Sequence, residues 1–143
     1  MDVHTSFTKA GWDAFKADAR PGPVQLLNLI RLRAAADYPD GRGATGWQAY
    51  EAYSRISEPV FRRIGGTIAW RGQFEQMLIG PSGIQWDICF VAQYPSVQAF
   101  AELMRDPVYR EAMAHRQAGV EDCRLVRLAP LRAGEAFLPV ADS

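Results

Sequence analysis

The sequence predicts an α+β domain, a four-stranded antiparallel sheet carrying two main helices on one face with a further short helix in front. Three observations carry this reading. Val24 to Leu32 is almost continuously apolar behind a Pro-Gly-Pro turn, as in a strand covered on both faces. Helical spacing of apolar residues returns twice further on, behind Thr45 and behind Ser96. Strand-like runs lie between and after those two helices, so strands and helices are interleaved along the chain.

Taken in order, Phe7, Gly11, Trp12, Phe15 and Ala19 recur at three and four, which predicts a short amphipathic helix over about Thr8 to Ala19. β1 follows at Val24 to Leu32, interrupted by Asn28 and Arg31. Arg33 to Thr45 contains Pro39 and two glycines and reads as a loop, long enough to suspect a function. Thr45 and Gln48 have the capping-box form and start a helix near Gly46. Its apolar positions Tyr50, Tyr53, Ile56, Val60, Phe61 and Ile64 keep the spacing, Pro59 should bend it, and Gly65 with Gly66 ends it. β2 (Thr67 to Ile79) and β3 (Ile84 to Tyr94) are joined by turn residues from Gly80 to Gly83. Ser96 caps the next helix, Asp106 and Pro107 restart it, and Gly119 closes it. β4 is expected at Asp122 to Leu131.

Helix, then βαββαβ, is the order of the ferredoxin-like fold, and right-handed crossovers then place both main helices on one face of a sheet ordered 4-1-3-2. Residues 1–22 form an N-terminal helical extension in this reading, 23–131 the domain and 132–143 a tail. Cys89 and Cys123 fall about two strand spacings apart, near 10 Å, beyond disulfide reach. On β3, Ile84, Trp86, Ile88, Phe90, Ala92 and Tyr94 share the face expected under the helices. Gln85, Asp87, Cys89, Val91 and Gln93 share the other. That second face, with Leu27 and Leu29 of β1, is apolar enough to call for a second copy of the sheet, which predicts a homodimer.

At 143 residues the chain has the size of one domain, and 48% hydrophobic with 22% charged residues is ordinary globular composition. Sixteen Lys plus Arg balance sixteen Asp plus Glu, which removes the net positive field that nucleic-acid or anionic-membrane binding would use. Two Cys without CxxC spacing and two widely separated His, His4 and His115, exclude a metal site of the usual zinc spacing. A charged N-terminus and the lack of an apolar run near 20 residues make a cytoplasmic location with free thiols the expectation. No phosphate-binding glycine motif is present, and Ser82 and Ser96 read as turn and cap residues rather than nucleophiles. The expectation is an organic cofactor-free and metal-free protein.

The phrases LLNLIRLR with ADYPDGRG, TGWQAYEAY, IGGTIAWRG, WDICFVAQYPSVQAF and DPVYREAMAHRQAGVEDCRL resemble a family of small bacterial proteins known as a domain of unknown function. The resemblance runs from about Pro23 to Leu131. It implies the dimeric α/β barrel superfamily, whose relatives include cofactor-free monooxygenases, muconolactone isomerases, polyketide cyclases and haem-dependent chlorite dismutases. One scaffold carrying so many reactions implies fold and dimer, not chemistry.

Candidate site residues follow from placement. Asn28 is the single amide among Val24, Leu26, Ile30 and Leu32, and a buried amide needs partners; it either holds a substrate oxyanion or ties a loop or water. His115 falls on the stripe Val108, Ala112, His115, Gly119 and is either the general acid or base or a core-edge histidine bonded to the backbone. Arg116, about 100° round the helix, is assigned to a salt bridge or the surface. Tyr50, Tyr53, Trp70, Trp86 and Tyr94 come from elements that bound the expected pocket, where they hold a ring or simply pack. Asp87, in the inter-subunit layer, orients a base or pairs with Arg31 or Arg124. Arg31 and Tyr38 are further substrate-contact candidates, Tyr38 with Asp40 and Arg42 as a charged lid or as solvated loop. The leading expectation is a cofactor-free isomerase or cyclase moving a proton on a small oxygenated cyclic or aromatic metabolite, with His115 as proton carrier, Asn28 as oxyanion holder and Asp87 in support. A cofactor-independent monooxygenase of a phenol and a non-catalytic small-molecule binder or stress-linked accessory protein are the alternatives.

Overall fold

Residues 3–134 and 136–138 are described by the computed structural model; the end of the expected tail lies outside them. The elements are α1 Lys9–Ala17, β1 Val24–Leu32, α2 Gly46–Arg63, β2 Thr67–Gly72, β3 Ile88–Tyr94, α3 Val97–Arg105, α4 Pro107–Gly119 and β4 Val120–Leu128. The sheet order is β2-β3-β1-β4, antiparallel throughout, so the fold is α+β and ferredoxin-like. Capping residues set the helix starts. At α2 the Gln48 amide donates to Thr45 Oγ1 at 3.0 Å and the Thr45 amide donates to Gln48 Oε1 at 2.9 Å, closing the capping box. Asp106 accepts from the amides of Val108 and Tyr109 at 2.8 and 3.1 Å, with Pro107 in the first turn where its missing N–H costs nothing. The chain turns between α3 and α4 at that residue, and α2 runs on past Pro59 to a Gly65 with φ of +90°.

Helices and sheet meet over three apolar clusters, the largest of them between β1, β3 and the helices. Val24 and Leu26 of β1 and Ala92 and Tyr94 of β3 pack against Val60, Phe100, Leu103 and Tyr109 from the helices. Burial of a side chain such as Leu103 or Phe100 stabilises the fold by about 1.5–3 kcal/mol. The register Asn28↔Phe90 and Leu26↔Ala92 places these residues on one face, as strand parity predicts. Where α2 begins and α4 ends the backbones nearly touch: a Cβ on Gly119 would lie 2.8 Å from Gly46 O. Cys89 and Cys123 are both buried free thiols.

Two segments depart from expectation. β2 stops at Gly72 and β3 starts at Ile88, so the chain between them is irregular and Leu78 and Ile79 are 82% and 95% exposed. Glycines 80 and 83 do turn the chain with positive φ, but among the described residues no ladder pairs on either side of that turn. Residues 33–45 are pinned instead of free: the amides of Arg33 and Asp37 donate to Gly119 O and Ala118 O at 2.8 Å. The N-terminal residues are likewise tied to the fold. Cys123 N donates to His4 O at 2.7 Å and His4 N donates to Asp122 Oδ1 at 2.9 Å, which lays residue 4 along the free edge of β4. From there Phe7, Trp12 and Phe15 gather round Phe100. No helix is long and apolar enough to cross a membrane, among the described residues.

Candidate functional site

A cleft of about 1500 Å³ opens between the sheet and the α2–α4 layer. Its floor includes Leu26, Asn28, Phe90 and Cys123 of the helix-facing sheet surface, and its wall Tyr50, Tyr53, Tyr109, Met113 and Arg116. The N-terminal residues 4–8 line its mouth, and Ile68, Arg71 and Gly72 of β2 the opposite side. The cleft also reaches Asp87, Cys89 and Arg124.

Of the residues expected from sequence, Asn28, Tyr50, Tyr53, Tyr94 and Asp87 line this cleft. Asn28 donates from Nδ2 to Leu26 O at 3.1 Å, which uses one of its donors and leaves its carbonyl oxygen uncommitted. Asp87 pairs with neither Arg31 nor Arg124; its Oδ2 accepts the Leu32 amide at 2.7 Å, where β1 shifts register.

His115 does not line the cleft. The inward stripe of α4 runs through Tyr109, Ala112, Met113 and Arg116, one residue out of phase with the expected Val108, Ala112, His115, and Val108 is 46% exposed. His115 turns to the flank, where its Nδ1 meets Tyr38 OH at 2.7 Å. Tyr38 is therefore buried against α4 with Arg42 stacked 4.3 Å over its ring, and the 33–45 loop is a clamp on α4 rather than a lid over the cleft. Arg31 points to the other sheet face and pairs with Glu121 at 3.0 Å. Trp70 is displaced by an irregularity between Ile68 and Trp70, which pairs it with Val91 and carries Arg71, opposite Phe90, to the helix side instead. Trp86 precedes β3, so strand parity does not govern it; it lies buried under Arg124, whose guanidinium sits 5.5 Å from its ring.

Arg116 is the residue that sequence reasoning misplaced. Its guanidinium donates to Thr5 O at 3.3 Å and approaches Cys123 Sγ at 3.5 Å, and no carboxylate pairs with it among the described residues. Burial opposes its charge, but the surrounding Tyr53, Cys123 and Tyr50 outweigh burial and hold its pKa above the ordinary value. The phenols work the other way. Burial, reinforced by neighbouring tyrosines, pushes Tyr50, Tyr94 and Tyr109 above the usual phenol range, so they stay protonated donors at neutral pH. Tyr53 OH and Tyr109 OH lie 2.8 Å apart; one donates to the other, leaving one hydroxyl proton for a ligand. Among the described residues no group of three or more His, Cys, Asp or Glu is placed to hold a metal ion.

Residues 44–128 match a family described as a domain of unknown function, DUF1330. The chain belongs to that family. The DUF1330 match takes in Tyr50, Tyr53, Arg71, Tyr109, Arg116 and Cys123 and leaves Asn28 and the N-terminal residues of the cleft outside. Two solved structures are similar over nearly the whole chain, both of RPA0582, a protein of unknown function from Rhodopseudomonas palustris. One is 56% identical, covers 92% of this chain and 100% of that chain, and superposes with a TM-score of 0.89. The methylated form is 57% identical over 94% of this chain and 100% of that chain, with a TM-score of 0.91. No curated protein matches the chain.

Proposed function

We propose that the cleft binds a small cyclic or aromatic metabolite through an oxyanion and that the protein is a cofactor-free enzyme of the proton-transfer type, an isomerase or cyclase. The single observation that carries this reading is Arg116, a guanidinium turned into the cleft with a backbone carbonyl and a thiol as its partners and no carboxylate among the described residues. Such a cation is held ready for a negative ligand group, and a planar fork suits a carboxylate, enolate or phenolate. Protonated phenols of Tyr50 and Tyr109 add neutral donors where charge would develop, and Asn28 adds the Nδ2 hydrogen not given to Leu26 O. His4 replaces His115 as the proton carrier in this reading, because it is the histidine that belongs to the cleft lining among the described residues.

Proton transfer is tested by deuterium uptake from D2O into a panel of cyclic 1,3-dicarbonyl and hydroxyaromatic acids. The expected result is exchange that Arg116→Gln lowers by about 100-fold or more, the scale of one lost oxyanion donor. Exchange unchanged in that variant removes Arg116 from the chemistry. Oxygen consumption with a phenol in place of exchange would replace the isomerase with a monooxygenase, and binding without turnover would leave a carrier.

We further propose that two copies associate through the sheet face turned away from the helices. Leu27 and Leu29 stand there half-buried, and Trp70, Val126 and Leu128 are 53%, 43% and 39% exposed.

A further inference from the structure

We propose that the ligand of the cleft is an elongated dianion, held at one end by Arg116 and at the other by Arg71. This rests on the oxyanion reading of Arg116 and names the substrate class of that same site.

Four arginines line the cleft, and two are already committed: Arg62 to Glu58 and Arg124 to Asp122. Arg71 and Arg116 have no carboxylate partner among the described residues, and Arg71 makes no side-chain hydrogen bond there either. Arg71 is on the cleft side because of a local departure from strand geometry. The register shift between Ile68 and Trp70 sends Trp70 to the opposite sheet face and places Arg71 across from Phe90, whose own pairing with Asn28 belongs to the cleft floor. Without the shift, strict alternation from Ile68 would bring Trp70 to the helix side and turn Arg71 away.

The acidic groups of the cleft do not neutralise this pair. Glu58 pairs with Arg62, and Asp87, whose Oδ2 accepts the Leu32 amide, forms no salt bridge with either arginine. The two guanidiniums without a carboxylate partner among the described residues come from opposite ends of the sheet. Arg71 is on edge strand β2, whereas Arg116 reaches Cys123 on edge strand β4, three strands along in the order β2-β3-β1-β4. Three spacings amount to roughly 14 Å of backbone. That span favours charges at the two ends of a ligand over two charges on adjacent carbons. Between the anchors Phe90 and Leu26 of the floor and the ring of Tyr53 in the wall are apolar or aromatic, with Asn28 the polar residue of the floor, which suits a flat hydrocarbon centre. The ligand class is thus a dicarboxylate, or a carboxylate with an acidic enol or phenol, separated by a ring or an unsaturated chain.

Terephthalate, its monomethyl ester and malonate are the probes, with affinity measured by calorimetry on the full chain at low and moderate salt. The expected result is terephthalate binding at least tenfold more tightly than the ester, with malonate weaker than terephthalate. Arg71→Gln should erase the advantage of terephthalate and leave ester binding as it was. Arg116→Gln should weaken both, and Arg116→Lys should restore part of the loss, which separates loss of charge from loss of fold. Equal binding of terephthalate and ester to the native protein, unchanged selectivity in Arg71→Gln, or malonate matching terephthalate would each overturn the dianion while leaving the single-anion reading intact. No binding of terephthalate or ester, or indifference of both to Arg116→Gln, would overturn both readings together.

Discussion

At the scale of single residues, the decisive fact is which of two neighbours on α4 faces the sheet. His115 and Arg116 stand about 100° apart on the helix, and the packing of Tyr109, Ala112 and Met113 turns Arg116 inward. His115 is left to bond Tyr38, a contact of the kind that contributes roughly 0.5–1.5 kcal/mol. Tyr38→Phe should therefore lower stability by about 1 kcal/mol in urea denaturation and leave terephthalate affinity unchanged; altered affinity would bring the dyad back into the site. Asp122 supplies a pH-dependent test. It is 1% exposed, and although burial works to raise its pKa, the His4 amide and the Arg124 guanidinium outweigh burial and lower it. A carboxyl whose folded pKa is depressed adds stability that is present above its unfolded pKa of about 3.9 and is lost as pH falls through the folded value. Native stability should thus decline on that acid limb, and Asp122→Asn should flatten the limb. The same variant should expose residues 4–8 to proteolysis ahead of the core, since the His4 amide loses its charged acceptor.

Among elements, close packing of α2 on α4 holds the wall of the cleft. Gly119→Ala would set a Cβ against Gly46 O and Ala49 Cβ, an overpacking that typically costs about 1–3 kcal/mol. Its melting temperature should fall accordingly, and an unchanged value would mean that the two helices separate readily. The helix starts were legible in the chain because caps act locally: Thr45, Ser96 and Asp106 accept from amides two or three residues on. The β2–β3 connection was not. Apolar residues such as Leu78 and Ile79 read as strand, yet a strand exists only where a partner takes its hydrogen bonds, and pairing ends at Gly72 opposite Cys89. The register shift beside Trp70 leaves no mark in the chain for the same reason, since it is a property of two strands together.

For the molecule as a whole, the sheet has one face under helices and one without such cover among the described residues. If the second face meets another copy, light scattering should give twice the chain mass, and replacing Val126 and Leu128 together by Glu should yield a folded monomer. A native monomer at micromolar concentration would dismiss the pairing. The N-terminal segment matters at this scale too. It runs from the edge of β4 past the cleft mouth to the aromatic group round Phe100, so residues far from the family's matched stretch help to close the site.

What the sequence by itself determined is the βαββαβ order, the helix boundaries set by caps and glycines, the strand faces of β1 and β3, and Asn28, Tyr50 and Tyr53 as residues of the helix-facing cleft. All of these depend on neighbours a few positions away or on strict alternation along one strand. Tertiary structure alone decided that Arg116 and not His115 enters the cleft, that Arg71 and not Trp70 does, and that Tyr38 fastens a loop. A helix can rotate by one residue, and a strand can slip past one residue, with little change in local energy. The choice between such states is made by what packs against them, which here is the sheet floor beneath α4 and the β3 backbone beside β2.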